Sequence, residues 1–156
     1  VVGLGYPGGP KVDKLAESGE ATIDFPKTHF DNLDFSFSGI KTAVINLHHK
    51  IQNIKKEDLC MSFEKAVTEV LIENITKAIE LTGIKTVVLA GGVSANTYIR
   101  TEFENLSQKG IKIYKPDLKL CTDNGAMIGS AGYYRYINGD ISTNVLNAVP
   151  NLKIGE

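Results

Sequence analysis

The chain has 156 residues, 42% of them hydrophobic and 22% charged, and its 17 basic and 18 acidic side chains leave a net charge of −1. These are globular values that exclude a disordered or collagen-like chain, and the near-neutral balance gives no overall electrostatic drive towards nucleic acid. No apolar run approaches the ~20 residues of a bilayer span, and the first residues lack a basic, then apolar, then small-residue leader pattern.

Residues 1–9 hold Gly3, Gly5, Gly8 and Gly9, and Pro7 and Pro10 bracket the last pair. This predicts a loop, then a helix over Lys11–Glu17 with Pro10 in its first turn and Ser18-Gly19 as its stop. Residues 20–37 are irregular, although Phe35-Ser36-Phe37-Ser38 alternates as a strand does. Ser38 has the chemistry of an N-cap for a helix over Gly39–Gln52, in which Ile40, Val44, Leu47 and Ile51 share a face.

The longest periodic segment, Lys56–Leu81, carries Leu59, Phe63, Val67, Val70, Leu71, Ile75, Ala78 and Ile79 as a stripe that only Asn74 interrupts. Glu64, Lys65, Glu69, Glu73, Lys77 and Glu80 read as its solvated face, and Gly83 as its stop. Thr86–Ala90 is a short, β-branched apolar run that predicts a buried, parallel strand. Gly91-Gly92 then turns the chain into a helix from Ser94 or Asn96 to Gln108. Ile111–Tyr114 is a second strand and Asp117–Cys121 a loop. Asp123–Tyr136 has the small residues Ala126, Gly129, Ala131 and Gly132 of a closely packed helix, and residues 137–156 form a tail. The order predicts an α/β, helix-rich domain with a small sheet over 1–156.

Four segments can carry chemistry. In Leu89-Ala90-Gly91-Gly92-Val93-Ser94-Ala95-Asn96, a strand end, two glycines and a helix N-terminus suit a phosphate or ribose, with Asn96 as a donor. A tight turn with Asn96 as a helix cap explains the same residues. Tyr6-Pro7-Gly8-Gly9-Pro10-Lys11-Val12-Asp13 again sets glycines before a helix. Asp13, one turn in, either accepts bonds from ribose hydroxyls or complements the helix dipole. In Cys121-Thr122-Asp123-Asn124-Gly125, Asp123 is a metal ligand or an N-cap, and Cys121 a soft ligand or an inert buried thiol. In Ser36-Phe37-Ser38-Gly39-Ile40-Lys41, Lys41 faces an anion or simply water. His29, His48 and His49 have no metal-ligand spacing. Cys60 and Cys121, the only cysteines, cannot make a structural zinc site alone, and without a leader pattern they read as reduced thiols in a cytoplasmic protein.

Four blocks taken together are more specific than any one. Gly5-Tyr6-Pro7-Gly8-Gly9-Pro10, Phe35-Ser36-Phe37-Ser38-Gly39-Ile40-Lys41-Thr42, Ala90-Gly91-Gly92-Val93-Ser94-Ala95-Asn96 and Cys121-Thr122-Asp123-Asn124-Gly125-Ala126-Met127-Ile128 occur in this order. In this the chain closely resembles the tRNA N6-adenosine threonylcarbamoyltransferase family, formerly labelled O-sialoglycoprotein endopeptidase or glycoprotease. The resemblance implies part of an actin-like ATPase (ribonuclease H-like) fold. It also implies transfer of threonylcarbamoyl from threonylcarbamoyl-AMP to the N6 amine of the adenosine beside the tRNA anticodon, with release of AMP. By the same resemblance Gly9, Asp13 and Asn96 are substrate-adenylate contacts. Asp123 is a ligand of a metal, iron or else zinc, and Lys41 is a motif residue without a role. The implied partners are tRNA and, in bacteria, an inactive paralogue and a small ATPase, with no membrane.

The family's N-terminal half, with its phosphate-binding hairpin, His-x-x-x-His metal motif and first glycine-rich loop, has no counterpart here, and the chain opens on Val1. The expectation is a C-terminal subdomain with an incomplete metal site, inactive by itself and prone to self-association through uncovered apolar surface. Other readings are a nucleotide-binding module of an actin-like kinase, a metalloprotease, or a non-catalytic interaction domain. The protease reading lacks a His-Glu-x-x-His helix.

Overall fold

A computed structural model describes residues 3–51, 53–143, 145 and 147–151. The chain divides into two compact units, Val1–Cys121 and Thr122–Glu156.

The first unit is organised by one long helix. Helices α1 (Gly8–Ala16), α2 (Ser38–Lys50) and α3 (Lys56–Thr82) precede strand β1 (Thr86–Val88), helix α4 (Thr97–Asn105) and strand β2 (Lys112–Tyr114). Helix α3 opens with Glu57 and Asp58, whose charges suit a helix N-terminus. It stops at Gly83, which takes φ 69° and donates its N–H to the Ile79 carbonyl at 2.8 Å, the left-handed ending that only glycine adopts freely.

The two ends of α3 serve two cores. Its N-terminal half buries Leu59, Ala66 and Val70 with Phe25 and with Ile40 of α2. Its C-terminal half packs Leu71, Ile72, Ile75 and Ile79 against Val87, Ile99, Phe103, Leu106 and Ile111 of the strand–helix–strand unit. The strands pair parallel, Val87 opposite Ile113, across the α4 crossover. The expected parallel pair is therefore present, but β1 is less buried than its composition suggests: Val87 faces the core, while Val88 is 67% exposed. Among the described residues the sheet has only these two strands, and the core covers one side of it.

Two local expectations shift. The alternating residues Phe35–Ser38 form no strand; they run as irregular chain into α2, with the Phe35 and Phe37 rings 5.3 Å apart. Alternation makes a strand only where a neighbouring strand can take the backbone hydrogen bonds, and none lies alongside among the described residues. Ser38 is the first residue of α2 and not its side-chain cap; instead the Ser36 hydroxyl accepts from the Ser38 N–H at 3.3 Å.

The second unit contains α5 (Gly125–Ile137). Asn124 caps it, its Oδ1 accepting from the Met127 N–H at 3.0 Å. The sequence suggests a closely packed helix, yet α5 has no buried residue, and a Cβ at Gly129 or Gly132 would meet nothing within 4 Å. Among the described residues this unit holds no second element to cover it. No helix among the described residues is long and apolar enough to cross a membrane.

Candidate functional site

The first glycine loop opens directly onto a helix end. Pro7 is extended (φ −72°, ψ 138°), Gly8 and Gly9 form the first turn of α1, and no side chain caps that turn. Neither glycine has a positive φ, and a Cβ at either would meet nothing within 4 Å. Glycine costs a helix about 1 kcal/mol relative to alanine, so the fold itself gains nothing from this pair. What they supply is clearance: the first-turn N–H groups of α1 stay approachable from outside. Lys11 sits over this turn, its Nζ donating to the Tyr6 carbonyl at 3.3 Å.

One turn further along, Asp13 ties α1 to a segment 84 residues away. Its Oδ1 and Oδ2 accept from the Thr97 N–H at 3.0 and 3.2 Å, and Oδ2 also accepts from the Thr97 hydroxyl at 3.0 Å. Thr97 is the first residue of α4, and Asn96 is that helix's N-cap, its Oδ1 accepting from the Ile99 N–H at 2.9 Å. Asp13 and Asn96 are thus brought together at one helix end. The structure also corrects the expected open N-terminus after the double glycine, because side chains already occupy the Thr97 and Ile99 N–H groups. The free helix end belongs to α1. Replacing Asp13 with Ala leaves the Thr97 amide without its partner and should lower stability by about 1–2 kcal/mol, measured by urea unfolding.

The second glycine pair precedes a 3-10 turn, Gly92–Ala95, that leads into α4. Gly91 has φ 83° and ψ 172°, a backbone state essentially confined to glycine. Gly92 has neither a positive φ nor a close neighbour, and it lies exposed beside Val93. Arg100 braces this turn from behind. Its Nη1 donates to the Ser94 carbonyl at 2.9 Å and lies 3.7 Å from Cys121 Sγ, and its Nη2 donates to the Pro116 carbonyl at 2.8 Å. Cys121 is the buried thiol of the two alternatives weighed for it, and both cysteines are free.

Glu64 was not legible as part of this site. The charge pattern of α3 places it on the solvated face, yet it is 5% exposed and lies under Asn96. Its Oε1 accepts from Asn96 Nδ2 at 2.6 Å, while its Oε2 has no hydrogen-bond partner among the described residues. Burial pushes the carboxyl up to about 7, the Asn96 bond pulls against that, and the charges of Asp13 and Glu17 add to the rise. Packing accounts for the difference. Helix α3 is covered by α1 as well as by α2, so it buries the polar Ser62, Glu64 and Thr68 along with its apolar stripe.

A cavity of about 730 Å³ adjoins the first glycine loop. Gly5, Gly8 and Val12 form one side of it, and Phe35, Phe37 and Lys41 of the second sequence block form another. The cavity therefore gathers two of the four blocks and gives Lys41 a place on its wall. Cys60 also lines it, and burial pushes that thiol up to about 11, a poor nucleophile.

Asp123 belongs to the second unit, where it is exposed and directly precedes the capping residue Asn124. The cap role weighed for Asp123 thus falls to its neighbour. Among the described residues no group of three or more His, Cys, Asp or Glu side chains could hold a metal ion. A single carboxylate such as Asp123 does not by itself make a metal centre.

Comparison with known proteins gives a consistent answer. The profile of the family described as tRNA N6-adenosine threonylcarbamoyltransferase matches residues 1–130. Curated proteins of that name from Clostridium novyi (strain NT) and Clostridium perfringens (strain SM101 / Type A) are 47% and 50% identical to the chain, with 99% of it covered. The chain spans about half the length of these relatives, 48% in each case. Two crystal structures share the fold, each with a TM-score of 0.64. One is full-length HypF in a phosphate- and nucleotide-bound form (23% identity, covering 81% of this chain and 20% of that one), and the other is T. kodakarensis HypF (19% identity, covering 87% and 18%).

Proposed function

The chain belongs to the tRNA N6-adenosine threonylcarbamoyltransferase family, and from that premise we propose that it supplies the adenylate-holding part of such an enzyme. The observation that carries the proposal is the Asp13–Thr97 contact. It joins two glycine turns 84 residues apart, at positions where Gly8, Gly9 and Gly92 leave space that the fold does not need.

In this reading, the threonylcarbamoyl-adenylate phosphate lies at the uncapped first turn of α1, where N–H groups and the helix dipole favour an anion. Asp13 and Asn96 border the ribose. The N6 amine of the adenosine beside the tRNA anticodon attacks the carbamoyl carbon. A C–N bond forms, the bond from that carbon to the phosphate oxygen breaks, AMP leaves, and N6 gives up a proton. The chain's own groups act by holding and orienting the adenylate, which removes much of the entropic cost of meeting the amine. Asp123, an exposed carboxylate of the second unit, would offer a metal, iron or zinc, one oxygen ligand. The actin-like fold, a cytoplasmic setting, an inactive paralogue and a small ATPase as partners, and the inability of this chain to transfer alone complete the proposal. A kinase or protease reading gains nothing from the family match.

The glycines make a clean test, because fold and ligand pull in opposite directions. Gly9→Ala should leave the 156-residue chain as stable or more so, by about 0.5–1 kcal/mol. It should weaken AMP binding, measured by titration calorimetry, about tenfold or more by filling the approach to the α1 N–H groups. Unchanged AMP affinity in both Gly9→Ala and Gly92→Ala would remove the adenylate from this place.

A further inference from the structure

The buried carboxyl of α3 has a use that neither the family match nor the sequence assigns. Asn96 presents two ends of one amide. Its Oδ1 must face the Ile99 N–H to cap α4, so its Nδ2 must face Glu64, and both bonds are made, at 2.9 and 2.6 Å. Glu64 enters from a different helix and is 5% exposed; its grip therefore does not depend on solvent and is not shared with any surface ion pair. We propose that Glu64 is a positioning residue for the adenylate site: it locks the Asn96 amide in one orientation at the head of α4, on the ribose side of that site, and sets the charge beneath it. This rests on the adenylate reading given above for its ligand, though not for its geometry.

The second half of the proposal follows from what surrounds the carboxyl. The charged groups that act on Glu64 are the carboxylates of Asp13 on α1 and Glu17 at its C-terminal cap; its own charge in turn acts on Cys60 of α3 and Tyr98 of α4. An ionised Glu64 makes a third negative charge where α1, α3 and α4 meet, whereas a protonated one keeps Oε1 free to accept from Asn96 and adds none. Burial holds the group near neutral pH, at about 7, so both forms are populated under ordinary conditions. A bound phosphate favours the protonated form, and by linkage the protonated form favours the phosphate.

Nuclear magnetic resonance of the 156-residue chain separates the geometry from the ligand. Between about pH 5.5 and 8.5, the Asn96 side-chain amide resonances should move with a midpoint near that of Glu64, and the movement should be absent in E64Q, which keeps an oxygen acceptor but cannot ionise. Flat Asn96 resonances in the unaltered chain would overturn the proposal. With AMP as the probe, affinities of the two chains should agree within about twofold at about pH 6. At about pH 8 the unaltered chain should bind at least about threefold more weakly than E64Q. The second ionisation of the AMP phosphate, near pH 6, is common to both chains and cancels in the ratio. E64A, with no acceptor for Nδ2, should lose about tenfold at both pH values, and E64Q should restore it. Parallel pH profiles for E64Q and the unaltered chain would overturn the proposal. If neither chain binds AMP while Asn96 still titrates with Glu64, the grip is supported and only the adenylate assignment falls.

Discussion

Gly19→Ala should destabilise the first unit by about 3 kcal/mol or more, beyond the usual range for overpacking. The sequence suggests Gly19 as a helix stop, and α1 does end just before it. Its φ is not positive, however, so the left-handed freedom of glycine is not what the position uses. The reason is contact. A Cβ at Gly19 would lie 2.1 Å from the Glu57 carbonyl oxygen, 2.4 Å from its carbon and 2.9 Å from the Asp58 nitrogen. All three are backbone atoms in the first turn of α3, and no rotamer change relieves them. The chain either side is pinned to the same helix: the Glu20 N–H donates to Asp58 Oδ1 at 2.9 Å, and the Ile23 N–H to the Ser62 hydroxyl at 3.1 Å. An added methyl group must therefore lift the α1–α3 junction as a whole. Since α1 carries Asp13, the lift should also loosen Thr97. Urea unfolding should show the loss of stability, and hydrogen exchange should show reduced protection at the Thr97 amide. A stability change below about 1 kcal/mol would mean that the junction yields easily and is not closely packed.

The same junction explains which parts of the molecule could be read in advance. Apolar spacing locates α2 and α3, and the Gly91-Gly92 turn locates α4, to within a few residues, because each packs against one of two cores. Gly83 stops α3 as its sequence context predicts, and Thr86–Val88 pairs parallel across a helix. Asp13 and Asn96, which lie in separate glycine-containing segments of the sequence, meet at Thr97. Three things stayed hidden, each for a physical reason. Glu64 belongs to a helix covered from two sides, where charge periodicity no longer marks the solvent. The small polar residues Ser62 and Thr68, on the same helix and likewise buried, were the available signal. Arg100 works through backbone carbonyls of Ser94 and Pro116, and a carbonyl has no residue identity to search for. Helix α5 looks packed by composition, but small residues only permit close approach, and among the described residues of its unit no second element covers it.

The last expected result concerns Glu64 and the pH dependence of stability. Its folded value, about 7, lies above the ordinary 4.5. Below 4.5 the carboxyl is protonated in folded and unfolded chains alike, and its burial costs nothing extra. Between 4.5 and about 7 the unfolded chain ionises while the folded chain still holds the proton. The folded state then binds more protons, and stability falls as pH rises. Above about 7 both states are ionised and the full penalty remains, on the order of 3 kcal/mol for a shift of this size. Asp58 and Glu73 act in a different window. Their carboxyls are held low, Asp58 by Lys55 and the Glu20 N–H, Glu73 by Lys77 and His29. Their contributions are therefore lost as pH drops below the ordinary carboxylate range and do not overlap the Glu64 transition. E64Q should remove that transition alone. Its stability, from urea unfolding, should match or fall slightly below the unaltered chain at about pH 5 and exceed it by about 2–3 kcal/mol at about pH 8. A constant difference between the two chains across this range would show that Glu64 is hydrated or ionised when folded. The unpartnered Oε2 would then have found a partner, and the carboxyl would no longer be the group that sets the charge beneath Asn96.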